Sequence, residues 1–209
     1  MQTTQRLRNI LRTIVQTYGN DAARRYLWNA EFAGGKWECL TTTAGDCVYP
    51  YIEKYARNGR ILDLGCGSGN TANELTVACY RDYTGVDISD VALETARQRS
   101  EAGGRLGKCR YVRSDISTYQ PTGQYDVILF RDSIYYVAWA RIPALLARYA
   151  HHLRDDGVFI VRMWNGTGKY RPIAQAIEDG FDVVDRYDSD AAQAIVLVFR
   201  PKSPSAGLV

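Results

Sequence analysis

The order of hydrophobic and polar residues along the chain predicts an alternating α/β core. Short apolar runs typical of strands lie near residues 60–64, 82–86, 109–113, 125–130 and 157–162. Segments with helical spacing separate several of them, near residues 70–79, 89–100 and 140–152. Strands that alternate with helices form a parallel sheet with helices on both faces. The pattern therefore predicts a layered parallel-sheet domain.

The two ends of the chain follow other patterns. Residues 5–18 have apolar side chains at helical spacing, which predicts an amphipathic helix, and residues 46–57 predict another helix that ends at Asn58 and Gly59. Near the C-terminus, residues 181–186 and 193–200 are two strand-like runs with a polar segment between them, and they predict a closing hairpin.

Length and composition favour one domain. The chain has 209 residues, of which 46% are hydrophobic, and this is enough for one well-packed core. We expect a helical cap or lid over residues 1–58, a core over residues 59–201 and a frayed tail over residues 202–209.

A glycine-rich segment follows the first predicted strand. The apolar residues Ile61 and Leu62 are followed by Asp63 and then by Gly65, Gly67 and Gly69. Glycines at such a turn let the backbone bend sharply and approach a ligand closely. A second strand ends at Asp87, whose carboxylate can accept hydrogen bonds from ribose hydroxyls. The two segments together predict a site for a nucleotide-like cofactor.

The glycine spacing bears on which cofactor this is. A dinucleotide fingerprint places its third glycine where this chain has Asn70, which weakens a pyrophosphate interpretation. Asp63, just before the loop, would be awkward beside a diphosphate and fits an ammonium group better.

These motifs resemble the class I S-adenosylmethionine-dependent methyltransferases. The resemblance depends on Leu62-Asp63-Leu64-Gly65-Cys66-Gly67-Ser68-Gly69 and on Gly85-Val86-Asp87-Ile88-Ser89. Ser114-Asp115-Ile116 and Tyr125-Asp126-Val127-Ile128-Leu129-Phe130 follow in the same order, and the match covers roughly residues 58 to 165. The resemblance implies a Rossmann-like, seven-stranded, mostly parallel sheet with an antiparallel last strand.

The same resemblance implies S-adenosylmethionine as cofactor and assigns its binding residues. The loop from Gly65 to Gly69 would meet the methionine part, Asp87 the ribose, and Asp115 with Ile116 the adenine. Phe130 and Arg131 would lie at the methionine end. The full set of expected cofactor residues is Asp63, Gly65, Cys66, Gly67, Asn70, Asp87, Ile88, Asp115, Ile116, Phe130 and Arg131.

Residues that follow the fourth strand are the candidates for chemistry. Ligands of open α/β sheets bind outside the carboxyl ends of the strands. Asp132 is expected to take a proton or to orient an amine, or else to cap the following turn. Tyr135 and Tyr136 are expected to line the pocket, with inward packing as the alternative.

Substrate contacts are expected from two further segments. After the fifth strand, Arg162 is a candidate to bind an anionic group, and Trp164 is a candidate wall of the pocket. In the cap, four aromatic residues are candidates to close over the site, with packing inside the cap as the alternative. These are Tyr18, Tyr26, Trp28 and Trp37.

Charge and cysteine usage add limits. The net charge of +3 is concentrated in residues 1–30, which contain five arginines and one aspartate. This basic start is either a solvated helix face or a docking surface for an acidic partner. Five cysteines without a C-x-x-C pair, and no secretory signal segment, predict a reduced cytoplasmic setting. Two histidines, His151 and His152, exclude a histidine-rich metal site, and we expect no metal.

The sequence favours methyl transfer to a small-molecule acceptor, with nitrogen slightly preferred over oxygen. It lacks the Asn/Asp-Pro-Pro-Tyr/Phe motif that the family's base and glutamine N-methyltransferases have, and it has no Pro-Cys dipeptide. We expect no membrane partner, and no nucleic-acid partner is favoured; the sequence does not indicate the oligomeric state. The alternatives are an RNA or protein methyltransferase and a cofactor-binding module without transferase activity, with an oxidoreductase last.

Overall fold

The computed structural model describes residues 2–37 and 43–202. Within these ranges lie seven α-helices, α1 (Gln2–Tyr18), α2 (Asp21–Ala33), α3 (Tyr49–Ala56), α4 (Asn70–Glu74), α5 (Asp90–Ala102), α6 (Ile142–Ala150) and α7 (Arg171–Gly180). The strands are β1 (Gly59–Leu64), β2 (Tyr80–Asp87), β3 (Cys109–Arg113), β4 (Tyr125–Arg131), β5 (Leu153–Trp164), β6 (Phe181–Ser189) and β7 (Ala194–Pro201). Cys39 and the tail residues 203–209 lie outside the described residues.

The seven strands form one sheet in the order β3-β2-β1-β4-β5-β7-β6. The first five strands are parallel, and β7 runs antiparallel between β5 and β6. This confirms the predicted Rossmann-like sheet and its closing hairpin. Strands β2 and β3 are added on one side of β1 and strands β4 and β5 on the other, and this reversal of the strand order opens a crevice beyond the carboxyl ends of the strands.

Each face of the sheet is covered by a hydrophobic layer. One layer includes Phe130, Tyr149 and Phe159, and the other includes Ile52, Tyr83 and Val158. Buried residues of this size each contribute roughly 1.5 to 3 kcal/mol relative to leaving the side chain exposed. All the fully buried members of both layers come from Val48 onward.

Several boundaries differ from the sequence prediction. The helix predicted near 70–79 ends at Glu74, and the helix α7 was not predicted. Helix α3 contributes the buried residues Tyr49, Ile52 and Ala56 and packs against β1, β4 and β5, so it is part of the core and not of the cap. The cap therefore consists of α1, α2 and the turn that follows them.

Helix α1 is amphipathic, as predicted, but its apolar side faces outward. Leu7, Ile10, Leu11 and Ile14 are each about half exposed, whereas Gln16 is almost fully buried. The helix packs mainly on α2, where Arg12 forms an ion pair with Glu31. The inward side of α1 is thus polar.

Candidate functional site

The loop between β1 and α4 has the conformation that its glycines predict. Gly65, Gly67 and Gly69 all adopt positive φ angles, of 87°, 53° and 74°. Residues other than glycine rarely adopt such angles. A Cβ atom at Gly65 would collide with Cβ of Ser133, and one at Gly69 would lie 2.8 Å from Cβ of Ala96. The loop therefore packs closely against the segment after β4 and against α5.

Asp87, the last residue of β2, fastens this loop. The Gly67 N–H donates to one carboxylate oxygen at 2.9 Å, and the Ser89 N–H donates to the other at 2.9 Å. Burial raises the pKa of Asp87, and these backbone donors oppose the rise. The side chain also lines the central cavity, so Asp87 both shapes the loop and meets whatever the cavity binds.

Asp63, near the end of β1, is a buried carboxyl group with one unpaired oxygen. The Tyr83 hydroxyl donates to Oδ2 at 2.5 Å, whereas Oδ1 is buried without a hydrogen-bond partner. Burial raises the pKa of Asp63 to about 6, although the hydrogen bond from Tyr83 lowers it. A buried acceptor without a partner is costly. A ligand with a positively charged donor group would satisfy it.

Asp115, after β3, connects the core to the cap. Arg24 of α2 forms an ion pair with Asp115 at 2.9 Å, and the Ser117 N–H donates to the other Asp115 oxygen at 2.6 Å. Ile116 lies beside it on the cavity wall. Arg24 was not identified from the sequence, because nothing local indicates that a cap arginine reaches the end of β3.

Two arginines at the ends of β4 and β5 are fixed by two aspartates. Arg131 pairs with Asp46 at 2.7 Å, and Arg162 contacts both Asp46 and Asp132. Burial opposes ionisation of Asp46, yet Arg131 and Arg162 together hold its pKa below the usual value. Asp46 escaped the sequence analysis because it lies 85 positions from Arg131 in the chain.

Asp132 is held in an uncommon backbone conformation. Its φ angle is 52°, which costs a non-glycine residue roughly 1–2 kcal/mol. The carboxylate accepts hydrogen bonds from the Trp164 N–H at 2.7 Å, from the Tyr135 hydroxyl at 3.2 Å and from Arg162. Burial raises its pKa, while Arg162 and the Trp164 N–H oppose the rise.

Six aromatic side chains form a contiguous group, called here the ring cluster, at the cap end of the cavity. Its members are Trp28, Phe32, Trp37, Tyr135, Tyr136 and Tyr170. The Trp28 ring meets Tyr136 edge-on at 4.8 Å, and Tyr135 stacks on Tyr170 at 4.2 Å with an angle of 9° between the planes. Tyr135 and Tyr136, whose centroids lie 4.9 Å apart, join the two pairs.

One cavity of about 640 Å³ joins the glycine loop to the ring cluster. Most of the residues predicted from the sequence line it. They are Asp63, Gly65, Cys66, Gly67, Asn70, Asp87, Ile88, Asp115, Ile116, Arg131, Asp132, Tyr135, Tyr136, Trp28, Trp37, Arg162 and Trp164. Their individual roles stay predictions. Burial raises the pKa of the Cys66 thiol well above its usual value, so this thiol remains protonated.

Three predicted residues lie elsewhere. Tyr18 and Tyr26 are 72% and 78% exposed, on the outer surface of the cap, so neither closes over the cavity. Phe130 is fully buried and meets Tyr149 edge-on in the core. The cavity also has lining residues that the sequence did not indicate, among them Gln16, Arg24, Phe32, Thr71, Ser117 and Tyr170.

The sheet order, the glycine loop after β1 and the acid at the end of β2 agree with the resemblance to the class I S-adenosylmethionine-dependent methyltransferases. Residues 61–157 match the protein family described as "Methyltransferase domain". They form the part of the sheet and the connections that carry the glycine loop, Asp87, Asp115 and Asp132.

Similar proteins of known sequence are methyltransferases. A trans-aconitate 2-methyltransferase of Enterobacter sp. (strain 638) is 34% identical over 106 residues, which are 49% of this chain and 38% of that protein. A ubiquinone biosynthesis O-methyltransferase of Rickettsia prowazekii is 28% identical over 110 residues, which are 53% of this chain and 42% of that protein. The chain thus matches about two fifths of the length of these relatives.

A solved structure supports the fold. The N-methyltransferase NodS from Bradyrhizobium japonicum WM9, in complex with S-adenosyl-L-homocysteine, superposes with a TM-score of 0.64 at 15% identity, covering 80% of this chain and 92% of that one. Among the described helices, none combines the length and apolar content that a membrane crossing requires. In residues 2–37 and 43–202, no three His, Cys, Asp or Glu side chains are grouped to hold a metal ion.

The site residues fit the cofactor of this class. Asp63 offers a buried carboxylate oxygen without a partner to an ammonium group, and Asp87 offers carboxylate oxygens to hydroxyl donors. A Cβ atom at Gly67 would lie 3.6 Å from the ring of Phe32 and would narrow the space between the loop and that ring. Glycine at this position keeps the loop backbone accessible from the cavity.

Proposed function

We propose that the chain catalyses methyl transfer from S-adenosylmethionine to a small-molecule acceptor, with nitrogen favoured over oxygen. The observation that carries the proposal is the single cavity that runs from the glycine loop, Asp63 and Asp87 to the ring cluster beneath the cap. A cofactor at the loop end leaves the ring-cluster end for the acceptor. The chain would act as one domain, with α1 and α2 over the core.

The proposed binding roles follow from position. Asp63 would hold the ammonium group of the cofactor, Asp87 the ribose hydroxyls, and Asp115 with Ile116 the adenine. When bound, S-adenosylmethionine supplies a methyl group that passes to the acceptor's lone pair as its carbon–sulfur bond breaks, which leaves a neutral thioether and moves the positive charge to the acceptor. The residues of the cavity would align the acceptor and exclude water.

The preference for nitrogen is supported by the state of Asp132. A hydroxyl acceptor must lose its proton to become a good nucleophile, whereas a neutral amine already has a free lone pair. Asp132 already accepts three hydrogen bonds, one of them from a guanidinium group. It is therefore better suited to position Tyr135 than to remove a proton, and the cavity lining of the described residues includes no histidine.

The position of the cap favours a small acceptor over RNA or protein. Gln16 of α1 and Trp28 of α2 form part of the cavity wall, so the acceptor end lies under the cap and not on an open surface. A cofactor-binding module without transferase activity is the alternative from another class, and it predicts cofactor binding without turnover.

The first experiment is calorimetric titration with S-adenosylmethionine, S-adenosylhomocysteine and NAD. We expect micromolar binding of both sulfur ligands and none of NAD. A screen of amines and phenols for S-adenosylhomocysteine formation then tests transfer. Absence of binding by either sulfur ligand would overturn the proposal, and binding without turnover on the whole panel would favour the binding module.

The variant Asp132→Asn separates positioning from cofactor binding. We expect it to retain the affinity for S-adenosylhomocysteine and to lower turnover on any acceptor found in the screen, because Tyr135 and Arg162 lose a charged partner. Asp126→Asn is a control carboxylate on β4 that does not line the cavity. Equal turnover in Asp132→Asn and the wild type would reduce Asp132 to a structural role.

A further inference from the structure

The ring-cluster end of the cavity restricts the kind of acceptor, provided that the proposed function holds. We infer that the acceptor is an uncharged, planar ring system with a nitrogen nucleophile and a hydrogen-bond-accepting oxygen. Three features carry this inference: the pairing of the charges that line the cavity, the geometry of the rings, and two donors without partners.

The arginines that line the cavity are all paired with carboxylates, as are the acids near the ring cluster. The pairs are Arg24 with Asp115, Arg99 with Glu74, Arg131 with Asp46, and Arg162 with Asp132. An anionic acceptor would therefore meet guanidinium charges that carboxylates already balance, even though the Nε–H groups of Arg24, Arg131 and Arg162 are buried without a hydrogen-bond partner. Asp63 and Asp87, which lack a cationic partner among the described residues, lie at the loop end.

A cationic acceptor is disfavoured near Trp37 of the ring cluster. Arg12 lies 5.9 Å and Lys36 5.6 Å from the centroid of the Trp37 ring, so cations of the protein already use its electron-rich surface. Glu31 balances only one of these two positive charges. The local excess of positive charge would repel another cation entering beside Trp37.

The arrangement of the rings favours a flat ligand. Tyr135 and Tyr170 are stacked almost parallel, whereas Trp28 and Tyr136 stand nearly perpendicular, at 83°. The cluster thus presents both ring faces and ring edges, the two surfaces on which another aromatic ring packs well. A planar acceptor can therefore extend this chain of ring contacts.

Two polar side chains in the same wall have hydrogen-bonding capacity that the described residues do not use. Gln16 is 4% exposed, and its Nε2 is buried without a partner. The indole Nε1 of Trp37 is likewise buried without a partner. Both are donors, and buried donors without acceptors are costly. An oxygen atom on the bound ring would satisfy one of them after a small shift of the side chain.

Charge also favours a neutral nitrogen as the reacting atom. The lone pair of the nitrogen forms the new bond to the methyl carbon, and the acceptor becomes a cation at that moment. A planar ring that is conjugated with the nitrogen spreads this charge over several atoms. Any proton on the methylated nitrogen then leaves to water.

The test uses four quinoline derivatives with one ring skeleton, titrated into the full chain saturated with S-adenosylhomocysteine. They are quinoline, 4-quinolone, quinoline-4-carboxylate and N-methylquinolinium. We expect 4-quinolone to bind most tightly and quinoline next. Binding of the carboxylate or of the quinolinium cation that is tighter than the binding of quinoline would overturn the inference. So would failure of 4-quinolone to bind more tightly than quinoline.

Two variants locate the oxygen. Gln16→Met keeps the size of the side chain and removes the amide, and Trp37→Phe removes the N–H. The readout is the ratio of the affinities for 4-quinolone and quinoline, which cancels a general loss of ring packing. We expect at least one variant to lower the ratio about three- to tenfold, the value of one hydrogen bond. The exposed Gln175→Met on α7 is the control and should leave it unchanged.

The outcomes distinguish the two proposals. If S-adenosylhomocysteine binds and none of the four rings does, the inference about the acceptor fails while the proposed function survives. If S-adenosylhomocysteine itself does not bind, both fail. A ratio that is unchanged in both variants would contradict the assignment of the oxygen to Gln16 and Trp37.

Discussion

Asp63 combines burial, an unpaired oxygen and a raised pKa. Its carboxyl group has a pKa of about 6 before any ligand binds. Above that pH it is a carboxylate that attracts an ammonium group, and below that pH it is neutral. We expect the affinity for S-adenosylhomocysteine to fall as the pH drops below 6, toward about tenfold per pH unit.

The variant Asp63→Asn is the control for this pH dependence. It is nearly isosteric and can still accept the hydrogen bond from Tyr83, but it does not titrate. Calorimetry between pH 5 and pH 7.5 should show weaker and nearly constant binding in the variant. An equally steep dependence in both proteins would assign the titration to another group.

Asp87 is expected to contribute in two ways, through the ligand and through the loop. Asp87→Asn keeps one acceptor but loses the negative charge that receives the Gly67 and Ser89 N–H groups. We expect a loss of about 1.5 to 3 kcal/mol in the binding of S-adenosylhomocysteine, roughly a 10- to 150-fold change. The exposed Asp90→Asn, three positions further on, is the matched control. Equal affinities in the two variants would contradict the placement of the ribose.

Periodicity explains which site residues the sequence could predict. The loop glycines and Asp87 follow directly from a strand that ends in a turn, so their place at the sheet edge is a local property. Tyr18 lies two positions after Gln16, about 200° around a helix, and therefore faces away from the cavity. The sequence pattern shows that α1 has two sides but not which side faces inward, because the inward side here is polar.

Alternation along a strand explains why the Phe130 side chain does not line the cavity. Successive side chains of β4 point to opposite faces, so Phe130 packs beside Tyr149 in the core while Arg131 reaches the cavity. The residues that no local pattern could indicate are partners across the fold. Asp46 and Arg24 form ion pairs with residues 85 and 91 positions away in the chain.

Helix α2 is fixed over the site by contacts at two points. Arg24 pairs with Asp115, and the hydroxyl of Ser89, just before α5 begins, donates to Asn29 Oδ1 at 2.8 Å. We expect Arg24→Met to speed amide hydrogen exchange over residues 21–33 and to speed release of S-adenosylhomocysteine, because Asp115 loses its partner. The exposed Arg25→Met, whose ion pair with Asp90 is weak, is the control.

The double variant Arg24→Met/Asp115→Asn tests whether the ion pair itself is responsible. Removing both charges avoids a buried carboxylate without a partner, so exchange in α2 should return part of the way toward the wild-type rate. If amide hydrogen exchange in α2 is as fast in the double variant as in Arg24→Met, the arginine acts through packing and not through Asp115.

The core does not depend on helix α1 of the cap for its buried layers. The buried layers on both faces of the sheet come from residue 48 onward, whereas α1 contributes Gln16 to the cavity wall and packs mainly on α2. Removal of residues 1–19 should therefore leave cooperative thermal unfolding of the core, because no fully buried member of either layer is lost.

The ligand-binding result of this truncation separates the two ends of the cavity. Asp63, Asp87 and the glycine loop remain, so saturating S-adenosylhomocysteine at about 100 times its dissociation constant should still stabilise the protein by about 2.7 kcal/mol. That corresponds to a rise in Tm of roughly 5 to 11 °C for a domain of this size. Quinolone binding should weaken, because Gln16 and the support of α1 for α2 are gone. A truncated protein that keeps full quinolone affinity would place the acceptor outside the cap, whereas loss of the Tm rise would show that α1 also holds the cofactor.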